Sequence, residues 1–442
     1  MKFLTLSLYH PRVMKGGAQY VAKDLHDAAD ADPQVEAIML AGIDGNRFPN
    51  YSKTGASITA LPDSDTEFLM PGRRFDDFFH RIYDPRRNKA LVRFLQDHKP
   101  DVIHMHHSLW VGLEVIDLIR KTLPDAKIIY TLHEYLPICH KQGQLYRYHE
   151  GGICQDTRPD QCTGCFPDRN TDEFILRRRG FRSAFARVDH FIAPSAYLKQ
   201  RYVDWGLEAD RITVIANGHQ RRRPEGWVPQ HSPGLNVFGF FGQFVDAKGI
   251  DVALRAARRV AEVTGREVEL KVFGGNKEYA SADYLEKIEA VLDDAPAGLI
   301  VTEVGSYSRD NVFDLMSSVD WVLTPSIWPE TFGLVVSEAW DARRPVLASR
   351  AGGLTDRIID GVNGFSFLPG SDTELAQLME RCIGNAELWQ KMAHEMPDEI
   401  TIDQAWAAHR AVIDGVTGAP QAGPETGPEA APEPASGSST LV

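Results

Sequence analysis

No apolar run in the sequence approaches the roughly 18 residues that a membrane-spanning helix needs, so no such helix is predicted. Basic residues are not in excess either, because 48 lysines and arginines face 61 acidic residues and the net charge is −13. General binding to DNA or RNA requires a basic surface, so nucleic acid is not an expected partner. Only 5 of the 442 residues are cysteine, which excludes a disulfide-rich scaffold.

The beginning of the chain lacks the pattern of a signal peptide, since its first nine residues have no strongly basic start and no long apolar centre. We interpret them as the first strand of a sheet. We therefore predict a cytoplasmic protein, with contact to the inner face of the membrane as a further expectation. Thiols in that compartment are normally reduced. The length of 442 residues, at roughly 150 residues per domain, predicts two or three domains.

Short apolar runs alternate with helical patterns, which is typical of parallel sheets covered by helices. One series fills residues 1–219 and a second fills residues 235–399. Residues 220–234 between them contain three arginines and three prolines and are predicted to form a linker. The expected fold is α/β, with two doubly wound Rossmann-like domains that face each other across a cleft. Ligands of such sheets bind at the carboxyl ends of the strands.

The end of the chain departs from this alternation. Residues 400–416 are predicted to form one more helix after the second domain is complete. Residues 417–442 consist largely of Gly, Pro, Ala, Glu and Ser and are predicted to form a disordered tail. Within the second domain, a helix is also expected over residues 354–359.

Glu330 and Glu338 flank a predicted helix start. A strand that ends at Thr324 is followed by a proline-bounded loop with Glu330, and a helix begins near residues 332–334. Free backbone N–H groups at a helix start bind anions. The two carboxylates could then hold the sugar and ribose ends of a nucleotide-sugar, with the phosphates between them. A solvent-exposed loop glutamate and a helix-surface glutamate are the alternative.

Two other loops connect a strand to a helix through glycine. Lys248 follows a glycine turn and directly precedes a helix, where its charge adds to the positive helix end and suits a diphosphate. Gly16 and Gly17 precede another helix and allow close approach of a ligand to the backbone. Neither loop is a Walker A loop or a G-x-G-x-x-G fingerprint, so a dehydrogenase is not favoured. A solvated lysine and a plain flexible loop are the alternatives. His133 ends a further strand and is either a site residue or a structural histidine.

Taken together, these segments resemble glycosyltransferase family 4, a family of retaining enzymes with the GT-B fold, over about residues 1–415. The most specific element is the E-x7-E motif at Glu330 and Glu338. The resemblance rests further on the strand-end histidine, the glycine-containing loops and the domain junction, which are Gly16-Gly17, His133, Val214-Ile215-Ala216-Asn217-Gly218, Gly242 with Lys248-Gly249, and Ala351-Gly352-Gly353.

The resemblance implies a role for each site residue. The catalytic set would be Glu330, His133 and Lys248, with Glu330 on the transferred sugar and His133 near the reacting centre. Glu338 would contact the ribose. The last helix would cross back to the N-terminal domain. The resemblance places the sugar donor against Gly16, Gly17, Gln243, Lys248, Thr331, Phe332, Gly333, Leu334 and Glu338.

The implied activity is transfer of a sugar from a nucleoside diphosphate sugar to a glycan or lipid-linked acceptor, with retained configuration, in synthesis of surface polysaccharide or glycoconjugate. The resemblance also implies that no cofactor is required for the chemistry and that Lys248 and helix N-termini stabilise the leaving diphosphate. Gln243 stands where many members have arginine, so weaker charge stabilisation is expected there. The alternatives are another GT-B enzyme, such as a sugar-nucleotide epimerase or a glycogen-synthase-like polymerase, and a non-catalytic protein that binds sugar nucleotides.

Four of the five cysteines fall in one stretch with the spacing C-x14-C-x7-C-x2-C. The close pair Cys162 and Cys165 resembles half of a structural zinc site, and four thiols in a reduced compartment favour zinc over two disulfides. Free thiols and a disulfide or redox use are the alternatives. A metal held by Cys139, Cys154 and this pair would stabilise an irregular loop, residues 137–167, beside the acceptor site.

Arginines cluster at two places in this acidic chain. Such clusters can mark contact with an anionic membrane or with a phosphate-bearing acceptor. A solvated helix face, on which arginines pair with Asp172 and Glu173, is the alternative. The clusters are Arg177-Arg178-Arg179 with Arg182 and Arg187, and Arg221-Arg222-Arg223 in the predicted linker.

Overall fold

Segments with strand periodicity assemble into two mainly parallel sheets covered by helices. The computed structural model describes residues 1–51, 55–275 and 277–418. Its architecture confirms the prediction of an α/β protein with two doubly wound sheets. The predicted start of the disordered tail at residue 417 is wrong, because Thr417 is still helical and Gly418 caps that helix. The rest of the predicted tail, residues 419–442, lies outside the described residues.

The N-terminal sheet has eight strands, which pair in parallel except for one short antiparallel edge strand. Its central strands are buried on both faces, which explains their nearly continuous apolar sequence. The strands up to residue 219 are β1 (Lys2–Leu8), β2 (Glu36–Asp44), β3 (Thr59–Ala60), β4 (Glu67–Gly72), β5 (Phe75–Asp76), β6 (Arg81–Ile82), β7 (Val102–Met105), β8 (Lys127–Thr131), β9 (Tyr146–Arg147), β10 (Gly152–Ile153), β11 (His190–Ala193) and β12 (Ile212–Val214). The sheet order is β12-β11-β8-β7-β1-β2-β4-β3.

Helices connect these strands and cover the sheet. Several begin at a side chain that caps free backbone N–H groups, as Asp84 and Asn170 do. The helices of this half are α1 (Gly17–Ala31), α2 (Pro85–His98), α3 (Glu114–Thr122), α4 (Pro159–Cys162), α5 (Thr171–Phe185) and α6 (Ala196–Trp205).

The C-terminal sheet is fully parallel and has the order β15-β14-β13-β16-β17-β18. Its strands are β13 (Val237–Phe241), β14 (Val268–Phe273), β15 (Leu299–Gly305), β16 (Trp321–Thr324), β17 (Val346–Ser349) and β18 (Gly364–Phe367). Its helices are α7 (Ile250–Thr264), α8 (Ala282–Leu292), α9 (Val312–Ser317), α10 (Leu334–Asp341), α11 (Asp372–Cys382) and α12 (Ala386–Glu395).

One further helix, α13 (Ile402–Thr417), lies on the N-terminal sheet and not on the C-terminal one. Thr401 and Gln404 form a capping box at its start. The ring of Trp406 packs edge-on against Phe3 of β1, with 5.4 Å between ring centroids. Residues 220–234, between the two sheets, form no helix or strand. No helix of the described residues combines the length and apolarity required to cross a membrane.

The prediction of a helix over residues 354–359 is wrong. Only one turn of 3-10 helix forms there, Gly353–Asp356. The side chain of Asn363 accepts from the N–H of Ile359 and donates to the carbonyl of Arg357, at 2.8 and 2.9 Å. These two backbone groups are therefore not available to continue a helix.

Candidate active-site cleft

A cleft of about 710 Å³ lies between the two domains, at the carboxyl ends of strands from both sheets. The loop after β1 borders it from one side, and the loops after β13 and β16 border it from the other. Every residue that the sequence analysis assigned to catalysis or to donor binding lines this one cleft: Gly16, Gly17, His133, Gln243, Lys248, Glu330, Thr331, Phe332, Gly333, Leu334 and Glu338.

Glu330 is held in the loop after β16 by three donors on one oxygen. Its Oε1 accepts from the Nζ of Lys248 at 2.6 Å, from the hydroxyl of Ser326 at 2.6 Å and from the indole N–H of Trp328 at 3.2 Å. Only 12% of the Glu330 side chain is exposed, so solvent screens the pair with Lys248 weakly. Oε2 has no hydrogen-bond partner among the described residues and is the atom left for a ligand.

The backbone of this loop is fixed by Gly352, which follows β17. The carbonyl of Glu330 accepts from the N–H of Gly353 at 2.6 Å, and Glu330 forms a parallel bridge with Gly352. Gly352 has a φ of +66°, and a Cβ added to it would lie 2.1 Å from the Glu330 carbonyl oxygen. Only glycine therefore fits at this contact.

Two helix N-termini meet in the cleft. α10 begins after Gly333, and α1 begins at Gly17 in the opposite domain. The two are close, since a Cβ on Gly17 would lie 3.0 Å from a methyl group of Leu334. Their free N–H groups and positive helix ends favour an anion at this junction. Lys248 precedes α7 on the same side of the cleft as α10 and adds a full positive charge.

Glu338 lies in the second turn of α10 and lines the cleft. Burial raises the pKa of its carboxyl to about 7, against the opposing effect of His219, Arg309 and Arg222. A carboxyl with that pKa changes from its protonated to its ionised form as the pH rises through neutrality. Ligand groups that donate hydrogen bonds to Glu338 would favour its ionised form.

His133, after β8, is a neutral imidazole in this environment. Burial lowers its pKa to about 3, and the neighbouring His107 and His409 lower it further. Its Nε2 is 2.9 Å from Nδ1 of His106, which is buried beneath it. A base with so low a pKa cannot remove a proton from a sugar hydroxyl at neutral pH. His133 can therefore form a hydrogen bond with a ligand but contributes no positive charge to the cleft.

Arg309, which no sequence motif indicated, also lines the cleft. Its guanidinium makes a bidentate pair with the carboxylate of Asp24 on α1, with both distances at 2.7 Å, and lies 4.0 Å from the ring of Tyr20. This contact joins the two domains across the cleft. The position of Arg309 shortly after the carboxyl end of β15 is the signal that could have identified it.

Two hydrogen bonds join the domains beside Glu330. The hydroxyl of Ser195 donates to the carbonyl of Thr331 at 2.6 Å, and the hydroxyl of Tyr135 donates to the carbonyl of Glu330 at 3.4 Å. The loop with the first glutamate of the E-x7-E motif is thus attached to both domains.

The arginine cluster on α5 is not uniformly a solvated face. Arg177 is buried and donates to the carbonyls of Leu136 and Pro137. Both interpretations of the cluster, a solvated face and a membrane or phosphate contact, are wrong for Arg177, because its position on α5 points into the protein. Glu173 pairs instead with Arg169, at 3.0 Å.

Two family models match adjoining parts of the chain. The model described as Glycosyltransferase Family 4 matches residues 16–223, and the model described as Glycosyl transferases group 1 matches residues 224–397. Together they span both domains and the linker between them.

Curated relatives carry glycosyltransferase names. An uncharacterised glycosyltransferase of Methanocaldococcus jannaschii is 29% identical over 53% of this chain and 62% of its own length. A D-inositol 3-phosphate glycosyltransferase of Nocardia farcinica is 27% identical over 66% of this chain and 60% of its own length. The chain thus spans less than two thirds of the length of each of these relatives.

Solved structures share the two-domain arrangement. HepE of Anabaena, crystallised with UDP and glucose, superposes with a TM-score of 0.62 at 18% identity, over 94% of this chain and 100% of that chain. At this identity the match shows the fold alone. From the two family models and this common fold, the chain belongs to glycosyltransferase family 4 and adopts the GT-B fold.

Proposed function

We propose that this protein is a retaining glycosyltransferase that transfers a sugar from a nucleoside diphosphate sugar to a glycan or lipid-linked acceptor. The observation that carries this proposal is the ion pair of Lys248 with Glu330 beside the N-terminus of α10. It places a cation, free helix N–H groups and an oriented carboxylate in one cleft. A diphosphate and the sugar attached to it need these groups together.

The donor is proposed to bind with its diphosphate between Lys248 and the N-termini of α1 and α10. Glu338, four residues into α10, then lies on the nucleoside side and accepts from the ribose hydroxyls. Oε2 of Glu330 accepts from the transferred sugar. The crystal structures of HepE contain UDP, UDP with glucose, and UDP-glucose, which supports a nucleoside diphosphate sugar as the donor class.

The proposal of retained configuration rests on the carboxylates of the cleft. Among the described residues that line it, only Glu330 and Glu338 carry carboxylates. Oε1 of Glu330 is occupied by three donors, and Glu338 is assigned to the ribose. With no other carboxylate to act as base, we assign the acceptor proton to the leaving diphosphate, on the face of the sugar from which the diphosphate departs. No metal is required for this step.

The acceptor is proposed to enter beside the cysteine-containing loop, residues 137–167. A second cleft of about 520 Å³ lies between this loop and the C-terminal domain. Aromatic rings next to amide and carboxylate groups suit a carbohydrate, which presents apolar ring faces and hydroxyls. The residues that line it include Asp77, Gln142, Gln144, Tyr148, Phe166, Phe244 and Tyr284.

Product analysis tests the proposed reaction. The protein is incubated with a donor panel and a glycan acceptor, and the anomeric configuration of the new linkage is read by NMR. Retained configuration supports the proposal, and an inverted linkage contradicts it. Conversion of the donor sugar without any acceptor would instead favour the epimerase alternative.

Donor affinity should increase with pH through neutrality. Burial raises the pKa of Glu338 to about 7 in the free cleft, and hydrogen bonds from ribose hydroxyls lower it in the complex. Donor binding therefore releases a proton. The Kd should fall by up to about tenfold per pH unit below pH 7 and level off above it.

Calorimetric titration with an intact nucleotide-sugar, whose diphosphate does not titrate near neutral pH, measures this dependence. In Glu338→Gln the slope should disappear, and the loss of affinity relative to the wild type should be largest above pH 7. An equal slope in both proteins would show that another group is responsible.

Tyr148→Ala should weaken acceptor binding without changing donor binding. The Tyr148 ring borders the second cleft, and loss of one aromatic contact is expected to raise the acceptor KM by about tenfold. Initial rates with varied acceptor measure this effect. Tyr83→Ala, which removes a 62% exposed ring elsewhere, is the matched control. An unchanged acceptor KM in Tyr148→Ala would place the acceptor outside this cleft.

Membrane contact remains a subsidiary part of the proposal. Arg179, Arg182 and Arg187 are exposed on or just after α5, and the side chain of Leu176 on the same helix is 56% exposed. An exposed basic and apolar helix surface suits an anionic membrane that presents a lipid-linked acceptor. Flotation with anionic and neutral vesicles distinguishes this from a purely solvated face.

A further inference from the structure

The four clustered cysteines surround a space of their own, separate from the active-site cleft. Cys139, Cys154, Cys162 and Cys165 all line one cavity of about 20 Å³, and all four are free thiols. A cavity of this size accommodates a single ion or water molecule and no organic ligand.

Three separate turns bring the thiols together. Cys139 closes a turn in which its N–H donates to the carbonyl of Tyr135 at 2.7 Å. Cys154 directly follows the β9–β10 hairpin. Cys162 ends α4, and the N–H of Cys165 donates back to its carbonyl at 3.1 Å. A C-x2-C turn joined by two thiols from other loops is the usual construction of a structural zinc site.

Arg177 provides a second, independent observation. Its guanidinium is buried, and among the described residues no carboxylate lies within 4.0 Å of it. Its Nε is buried and has no hydrogen-bond partner among the described residues. A buried cation with no carboxylate in contact is costly. Four thiolates around a divalent ion carry a net charge of −2 and would supply a counter-charge.

A second arginine, Arg147, lines the cavity itself. Its Nε lies 3.4 Å from the Sγ of Cys154, and its guanidinium also donates to the carbonyl of Asp156 at 3.0 Å. Arg147 also pairs with the carboxylate of Glu150 at 2.9 Å. Its contact with Cys154 places a cation beside one of the four sulfurs, and a neighbouring cation stabilises a thiolate.

We propose that the cysteine-containing loop binds one zinc ion through the sulfurs of Cys139, Cys154, Cys162 and Cys165. A tetrahedral site with Zn–S bonds of about 2.3 Å sets the sulfurs about 3.8 Å apart. In the described residues no three of these sulfurs lie within 4.8 Å of one another. The loop therefore contracts around the ion when it binds.

This contraction has a structural consequence for the loop. His140 and Phe166 line both the thiol cavity and the second cleft. An ion that fixes one face of the loop also fixes the residues on its other face. The metal is structural, and its presence does not depend on the proposed transfer reaction.

Metal analysis of the full chain, purified under reducing conditions, tests the site. We expect about one zinc per chain, and on exchange with Co²⁺ a thiolate-to-cobalt charge-transfer band with the visible bands of a tetrahedral site. Cys162→Ser should lose the metal. Cys382→Ser should keep it, because Cys382 is buried in α11 of the other domain.

A second measurement covers the case in which Cys162→Ser fails to fold. Wild-type protein is stripped with a chelator, and reaction of its thiols with a thiol reagent is followed before and after zinc is restored. Zinc should protect four thiols and raise the midpoint of thermal unfolding. Failure of the reduced wild type to take up zinc, disulfides among these cysteines, or unchanged metal content in folded Cys162→Ser would each overturn the proposal.

Discussion

Lys248→Ala should lower kcat/KM for sugar transfer by about 10²–10³-fold, the effect typical of removing one preorganised electrostatic group from an active site. The Nζ of Lys248 lies 2.6 Å from Glu330, in the loop before α10. Its charge therefore lies where we propose that the diphosphate leaves. Removing it also leaves the Glu330 carboxylate, which is 12% exposed, without its cation.

Steady-state rates with saturating acceptor measure this effect. Lys391→Ala is the matched control, since Lys391 forms a surface pair with Glu395 on α12 and should leave kcat/KM unchanged. Circular dichroism of both variants excludes a folding defect. A folded Lys248→Ala protein with normal kcat/KM would remove Lys248 from the diphosphate site.

Gly352→Ala should abolish most of the activity although it touches no ligand. The added Cβ would lie 2.1 Å from the Glu330 carbonyl oxygen. The φ of +66° with a ψ of −145° also lies close to a backbone region that is essentially restricted to glycine, where another residue costs about 1–3 kcal/mol. The loop with Glu330 must then move. A displacement of about 1 Å at a reacting group costs on the order of 10²-fold in rate.

Gly361→Ala separates the effect of the steric clash with Glu330 from the effect of placing alanine at a positive φ. Gly361 has a φ of +82° in the same domain, but no atom lies within 4 Å of a Cβ built on it. It should show the conformational penalty in thermal unfolding with nearly normal kcat. If Gly352→Ala retained normal kcat as well, the position of Glu330 would not depend on this contact.

The sequence predicts which residues line the cleft better than it predicts the elements around them. Glu330, Gly333 and Glu338 lie in one continuous segment. The E-x7-E motif therefore identifies the end of a strand, the loop after it and the start of the next helix together. The same holds for Lys248 and its glycine turn. When the residues of a site lie in one short segment of the chain, their role can be predicted before the fold is known.

Features that depend on distant contacts were missed or wrong. β4, Glu67–Gly72, contains a proline and a glycine and was not predicted, because its pairing with β2 outweighs its local composition. The helix expected over residues 354–359 is prevented by Asn363. Arg309 owes its place in the cleft to Asp24, which is 285 residues away in the chain.

The low pKa of His133 could not be predicted from the sequence either. Its position at a strand end suggested a site residue, and it does line the cleft. Its low pKa results from burial beside other histidines, His107 in the segment after β7 and His409 in α13. The sequence alone gives no sign that these elements meet.

A thermal-shift screen against UDP-, GDP-, ADP- and TDP-sugars tests the central claim most directly, with Lys248→Ala and Glu338→Gln measured alongside the wild type. A ligand at about 100 times its Kd adds about 2.7 kcal/mol of stability. We predict a clear shift with sugars of one base, and loss of most of that shift in both variants. No shift with any nucleotide-sugar, or an equal shift in all three proteins, would contradict the assignment of this cleft as the donor site.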